Sequence, residues 1–499
     1  MSRRLIMATL SLAAILAARP ASAPAADAPA ATDPAEMGVE GVLARNIGVS
    51  TVPHEVERGY NTMSSSAVLG NGCLMVTVAG MPENLHVYVG KTDFWRDKGP
   101  DWQSGNVLPG RINIRMPAMA GASFRQEQDM YLAEVRTALK RDANSVTVRT
   151  LTPHLGDNVV VSEIANTGRG PVEVCIETCT DQSDSPDWPF DVAAGTDGSI
   201  GWVKRRTHAP KPHDDYGSKA FRMWAAMATA VFDARADLAP NVQCRADDKI
   251  DRAAGDLTVA ATHSLTLAPG GKVSVVTAVH STGLPTTMDP ADPLPGAIKA
   301  LRSVAGDKLD CTLAAHRVWW RLFWNRSWVR LDCEPVVERA YYGAMYVFGC
   351  ANKIGQYPAG CNGWPVDDHV PWGGDYHWNY NNQALYYAAF SSNHPDLAEP
   401  YDRTVAEADA FGRRFAAKLG APGTFFFIAT GPGHLNEPLT IGQKTHAVEA
   451  ALVQINHWQY TRDIEWLKKN FAFLKDVADY WDWDLAKNRQ ALPHGRYRY

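Results

Sequence analysis

The densest run of chemically capable side chains lies between Tyr357 and Tyr387. It opens with Tyr357-Pro358-Ala359-Gly360 and Gly363-Trp364, continues through Asp367-Asp368-His369, and ends in Trp372-Gly373-Gly374-Asp375-Tyr376-His377-Trp378-Asn379-Tyr380-Asn381-Asn382-Gln383, just before a Tyr-rich helical segment. A surface loop rarely carries so many rings unless they bind something. Flat aromatic faces next to fixed donors and acceptors suit a sugar, whose ring stacks and whose every hydroxyl needs a partner. Trp364, Trp372, Asp375 and His377 are the candidate binding residues. Each has a plainer alternative: the tryptophans as core, His377 as a group that orients a neighbour, Asp375 as a structural partner. Asn379 and Asn381 can cap the adjoining helix. Asp367, Asp368 and His369 suggest a metal, but adjacent side chains rarely converge on one ion, so no metal or other cofactor is assigned. Glu437, in Asn436-Glu437-Pro438, is the only downstream loop carboxylate that suggests an acid, and loop glutamates are usually just solvated.

Two kinds of element must position this stretch. From about residue 40 to 290 the chain reads as strands. Arg111–Met116 and Val146–Leu151 alternate as half-buried strands do, and 159–161, 172–179, 257–267 and 273–279 are β-prone. Gly70-Asn71-Gly72, Asp142-Ala143-Asn144 and Pro269-Gly270-Gly271 are turn signals between them. Many short strands with polar turns imply a large antiparallel sandwich, placed at residues 40–295. After Pro293-Leu294-Pro295 the period becomes helical. Val337, Tyr341, Ala344 and Phe348 form one stripe, in a helix expected to stop at Gly355, and Leu397, Tyr401, Val405 and Ala408 form another. Further helices are predicted over 446–460 and 464–485. Residues 296–332 read as a helical linker and 333–499 as α-hairpins in series. A closed toroid of six hairpins needs well over ~200 residues, so the helical domain is expected to be only partly present in this chain. The alternative is a complete four- or five-helix bundle.

Composition narrows the function. The chain has 499 residues, a formal net charge of −5 and no basic run, which argues against nucleic acid as a partner. Its 16 Trp and 17 Tyr crowd into 319–388 and 458–483. Arg3 and Arg4 precede an apolar Leu5–Ala18 segment too short to span a bilayer, then Ala21-Ser22-Ala23. Residues 1–23 are therefore expected to be a signal peptide and 24–39 a disordered leader. The mature protein is expected to be exported, periplasmic or extracellular, with no membrane span. The eight cysteines are irregularly spaced without a CxxC pair, which argues against zinc.

Trp320-Arg321-Leu322-Phe323-Trp324-Asn325-Arg326-Ser327, Pro358-Ala359-Gly360, Gly363-Trp364 and Asp375–Asn381 together resemble the catalytic domain of glycoside hydrolase family 95. Leu69-Gly70-Asn71-Gly72 with Gly80, and Trp458-Gln459-Tyr460-Thr461-Arg462-Asp463 with Leu467 and Leu474-Lys475, agree. The resemblance covers about residues 60 to 490. It implies a β-sandwich followed by an (α/α)6 toroid, and an inverting α-L-fucosidase or related α-L-galactosidase acting on an oligosaccharide or polysaccharide. It maps the family's water-holding Asn pair onto Asn379 and Asn381. An amide carbonyl is too weak a base to deprotonate water alone, but it can orient it and relay to a carboxylate. Gln383 and Trp458 would face the toroid axis and contact substrate. The family's general acid and its Asp fall beyond Tyr499. Ala384-Leu385-Tyr386-Tyr387 stands where the family usually has Met-Asn-Tyr-Trp, which leaves fucose specificity open. Two other readings stay in view: a family 65-like phosphorylase, and a carbohydrate-binding protein without turnover.

Overall fold

The computed structural model describes residues 38–56, 65–97, 105–182, 189–208, 221–233, 239, 242–250, 257–284, 287–361, 363–433, 436–437, 443–491 and 497–498. The expected signal peptide and nearly all of the expected leader lie outside them. Two antiparallel sheets fill the first half of the chain. One has nine strands, running from Gly48–Ser50 at one edge to Phe190–Asp197 at the other; the second has seven, from Gln243–Ile250 to Ala67–Gly70. Alternation decides which side chains meet between the sheets. Val76, Val87, Ile112 and Ile176 of the seven-stranded sheet share one core with Val148, Ile164, Val231 and Val275 of the nine-stranded one. The predicted strands are present, as Gly110–Arg115, Asn144–Leu151, Val159–Asn166, Val172–Asp181, Leu257–Leu267 and Lys272–Thr282. Asp142 and Gly270 take positive φ, +52° and +74°, where turns were read.

The helices are α1 (Val39–Ala44), α2 (Leu294–Ser303), α3 (Lys308–Arg326), α4 (Pro335–Ala351), α5 (Asn381–Ala384), α6 (Tyr387–Ser391), α7 (Glu399–Lys418), α8 (His446–Thr461) and α9 (Ile464–Asn488). The stretch read as a linker is packed structure. α2 lays Ala297, Ala300 and Leu301 on the outer face of the nine-stranded sheet, against Val161, Ala228 and Val276. α3 puts Leu309 and Leu313 into that same cluster, and Trp320, Phe323 and Trp324 into the helical core. Residues 39–44, read as the end of the leader and the start of the sandwich, form a helix whose Val39, Val42 and Leu43 join the helical core instead.

Two helix readings need correction. α4 ends at Ala351, before Gly355. Its buried stripe is Glu338, Tyr342, Met345, Tyr346 and Gly349, one residue out of step with the expected one; of the expected residues Phe348 is buried, while Tyr341 is half-buried and Val337 and Ala344 are exposed. The reason is electrostatic. A glutamate would not be chosen as a core residue, yet Glu338 is buried and accepts from Arg45 Nε at 2.9 Å, Arg45 Nη2 at 2.5 Å, Asn46 Nδ2 at 2.8 Å and the Leu331 backbone N–H at 2.8 Å. These bonds, with Arg45 foremost, hold its carboxyl down at about 2, against 4.5 for a free glutamate. A depressed carboxylate stabilises the fold fully above its unfolded value and loses that contribution as pH falls toward the folded one. Glu338→Gln is therefore expected to lower stability by about 2 kcal/mol at neutral pH. The difference from the parent protein should shrink between pH about 4.5 and about 2, which urea denaturation across that range measures.

Leu397, Tyr401, Val405 and Ala408 are all buried, as the stripe on α7 requires. α8 and α9 form a tight hairpin: Arg462 turns left-handed at φ +52° and Asp463 caps α9 by accepting from the Glu465 and Trp466 N–H groups.

Candidate functional site

The 356–380 segment crosses between the sandwich and the helices, and both grip it. Trp364 Nε1 donates to Leu69 O at 2.8 Å. The Arg205 guanidinium, on the sandwich, forks onto Asp368 at 2.8 and 2.5 Å, with both side chains buried. Asp367 instead accepts from the His369 N–H at 2.8 Å. The Asp-Asp-His run is thus a fastener between domains, since its carboxylates turn to different partners.

Further on, Tyr376 N–H and Trp378 N–H donate to Thr430 O and Ile428 O, each at 2.8 Å, so residues 376–378 lie extended along 428–430. Extended backbone sends alternate side chains to opposite sides. Tyr376 and Trp378 enter the core, Trp378 between Tyr401 and Phe426 with its Nε1 on Thr430 Oγ1 at 2.7 Å. Asp375, His377 and Asn379 fall on the other side.

There His377 Nδ1 lies 3.0 Å from Asp375 Oδ1, and both residues are buried. A carboxylate accepting from Nδ1–H leaves Nε2 of the neutral ring as an acceptor. The Trp372 indole stacks on His377 at 5.3 Å and 22° and is 46% exposed. Trp372 reaches this place through an unusual backbone, φ +50°, followed by Gly373 at +64° and Gly374 at +67°. Gly360 permits the approach, because a Cβ there would sit 1.8 Å from Gly374 O. Cys361 N–H then donates to Asp375 O at 2.9 Å. Burial, with the Asp375 charge adding to it, pushes the Cys361 thiol up to about 12, so it stays protonated and is a poor nucleophile.

Asn379 is half-buried, and its Oδ1 is buried with no hydrogen-bond partner among the described residues. Asn381 is exposed and borders a cavity of about 400 Å³ with Trp364, Asp367, Val370 and Pro371. Neither Asn is the N-cap of α5, which is Tyr380. The structure therefore brings Trp372, Asp375 and His377 together, and places Trp364 and Asn381 around one cavity.

Two expected binding residues lie elsewhere. Gln383 is fully buried, and both ends of its amide are bound to backbone, Nε2 to Trp378 O at 2.7 Å and Oε1 to Tyr380 N–H at 3.2 Å. Buried, with each end of its amide on backbone, it fastens the turn. Trp458 lies twelve residues beyond His446 on α8, about 18 Å along a helix rising ~1.5 Å per residue. The Arg462 guanidinium sits 5.5 Å over its ring. The side chain of Glu437 lies outside the described residues.

Sequence reading missed His446. It is fully buried at the start of α8, within hydrogen-bonding distance of Phe426 O and Gln443 Oε1, each at 3.0 Å. Burial lowers its basicity, and the nearby His377 adds to the effect, so the two imidazoles share one electrostatic environment. The signal was present in a buried-face histidine at the first position of a predicted helix.

The chain matches a structure assigned as a kojibiose phosphorylase from the human microbiome, at 12% identity and a TM-score of 0.60, over 89% of this chain and 62% of that one. The chain thus spans less than two thirds of that protein's length. The likeness shows a shared fold, a large sandwich followed by helices of the six-hairpin toroid type. A family GH92 alpha-mannosidase from Bacteroides thetaiotaomicron also matches, at 9% identity over 91% of this chain and 68% of that one, but its TM-score of 0.31 carries no weight. No curated protein matches the sequence. Residues 335–496, the span that holds the Trp372–Asn381 site, match the glycosyl hydrolase family 95 catalytic domain. The chain thus carries, behind its sandwich, a segment of glycosyl hydrolase family 95 catalytic-domain type.

Proposed function

We propose that this chain is part of an exported, inverting glycoside hydrolase acting on α-L-fucosides or related α-L-galactosides of glycans. The observation that carries the reading is the buried Oδ1 of Asn379, which has no hydrogen-bond partner among the described residues, two positions beyond His377 in the run that also holds the Trp372 and Asp375–His377 cluster. A buried acceptor without a partner costs roughly 1–3 kcal/mol, and a water held there would remove that cost. That water, oriented by Asn379 with Asn381, would attack the anomeric carbon from the face opposite the leaving group. The exposed indole of Trp372 offers a sugar ring a flat face, and His377, held by Asp375, offers a hydroxyl an acceptor. We assign the general acid to no residue of this chain. An inverting site needs a second carboxyl set back far enough to admit the water.

The structural neighbour assigned as a kojibiose phosphorylase makes phosphorolysis the second reading. Incubating the protein, as its host produces it, with fucosyl and galactosyl oligosaccharides separates the two. Release of free sugar at a rate indifferent to phosphate supports hydrolysis. Strict phosphate dependence with a sugar phosphate as product supports phosphorolysis and overturns the proposal.

A further inference from the structure

The turn joining Asn379 to Asn381 has a conformation that its own residues do not favour. Tyr380 takes φ +107° and ψ −44°, outside the regions open to a bulky L-residue. Such a residue costs of order 1–3 kcal/mol and persists only where its surroundings fix it. The hydrogen bonds show what does the fixing. Asn382 N–H donates to His377 O at 3.0 Å and Ala384 N–H to Tyr380 O at 2.8 Å, so these two carbonyls are met by backbone. Trp378 O, between them, is met by the Gln383 side chain, whose Oε1 also takes the Tyr380 N–H. One fully buried amide thus bridges the residue before Asn379 and the residue after it.

We infer that Gln383 is the positioning residue of the Asn379–Asn381 pair: its amide holds Tyr380 in the left-handed turn that aims the two Asn side chains. The inference rests on the proposed role of that pair. Displacing a reacting group by about 1 Å can cost ~100-fold in rate, so a loosened turn should reduce turnover well before it reduces binding or folding.

The test uses the host-produced protein with an oligosaccharide substrate that it turns over. Gln383→Leu removes both bonds at similar size. It is expected to keep its circular dichroism spectrum and a KM within about threefold, while kcat falls about 30- to 100-fold. Gln383→Glu provides the rescue. An ionised carboxylate repels Trp378 O, whereas a protonated one donates to it and still accepts from Tyr380 N–H. Burial raises a carboxyl's pKa, so kcat of Gln383→Glu relative to the parent should climb at least tenfold from pH 8 to pH 5, with no matching change for Gln383→Leu. Unchanged kcat in a folded Gln383→Leu overturns the inference, as does a flat pH ratio for Gln383→Glu. Asn379→Ala serves as control. If it retains full turnover, the reading of the Asn pair has failed; if it loses turnover while Gln383→Leu does not, only the positioning role has.

Discussion

Asn379→Ala is expected to lower kcat by about 100- to 1,000-fold, with KM within about threefold of the parent. A group aimed at the reacting centre contributes chiefly in the transition state, and losing one such group typically costs this much. The side chain is half-buried and its oxygen has no hydrogen-bond partner among the described residues, so its loss leaves little structure unsatisfied. Stability should change by less than about 1 kcal/mol. If the pair acts on one water, as proposed, combining it with Asn381→Ala should cost much less than the product of the two single effects. Steady-state kinetics and thermal melts on the three variants check this. A rise in KM with kcat unchanged would make Asn379 a ground-state contact.

The second large effect concerns Trp372. Its indole is 46% exposed, stacks on His377 and is reached through a positive-φ backbone. Losing an aromatic platform of this kind removes about 1–2 kcal/mol of binding, so Trp372→Gly should lower kcat/KM on an oligosaccharide about 5- to 30-fold. Stability should hardly move. Glycine adopts the left-handed region without strain, and that relief offsets the lost contact with His377 and the greater freedom of the unfolded chain. A structural tryptophan would give the reverse pattern, a lower melting temperature with kcat/KM unchanged. Trp364 is the internal comparison. Its Nε1 is bound to Leu69 O at the domain junction, so its removal should cost stability first.

Sandwich strands and helices were legible because burial on one face leaves a period in the sequence. Val146 and Val148 alternate with half-exposed or exposed neighbours, and Leu397, Tyr401, Val405 and Ala408 repeat along a helical face. Legibility failed where a polar residue is buried. Glu338 shifted the stripe of α4 by one residue because Arg45, nearly three hundred positions earlier, neutralises it. Arg205 and Asp368 are also far apart in sequence, so nothing local showed that Asp368 ties this segment to the sandwich. Within the candidate site, the composition of the Trp372–Gln383 run marked a place but not how its side chains are arranged. Alternation along 375–379 gathers Asp375, His377 and Asn379 on one side, whereas a single left-handed residue, Tyr380, redirects the chain into α5. Gln383 was expected to face the axis; that turn draws it into the backbone instead. His446 joins the site through residues 426–430, a contact that no local pattern announces.

The stereochemistry of the released sugar tests the central claim most directly. With the host-produced protein and an α-L-fucosyl oligosaccharide, proton NMR in the first minutes, before mutarotation, reads the anomer formed. A water held by Asn379 and Asn381 on the face opposite the leaving group predicts the β-anomer first. Initial appearance of the α-anomer would mean retention through a covalent intermediate and would contradict the account.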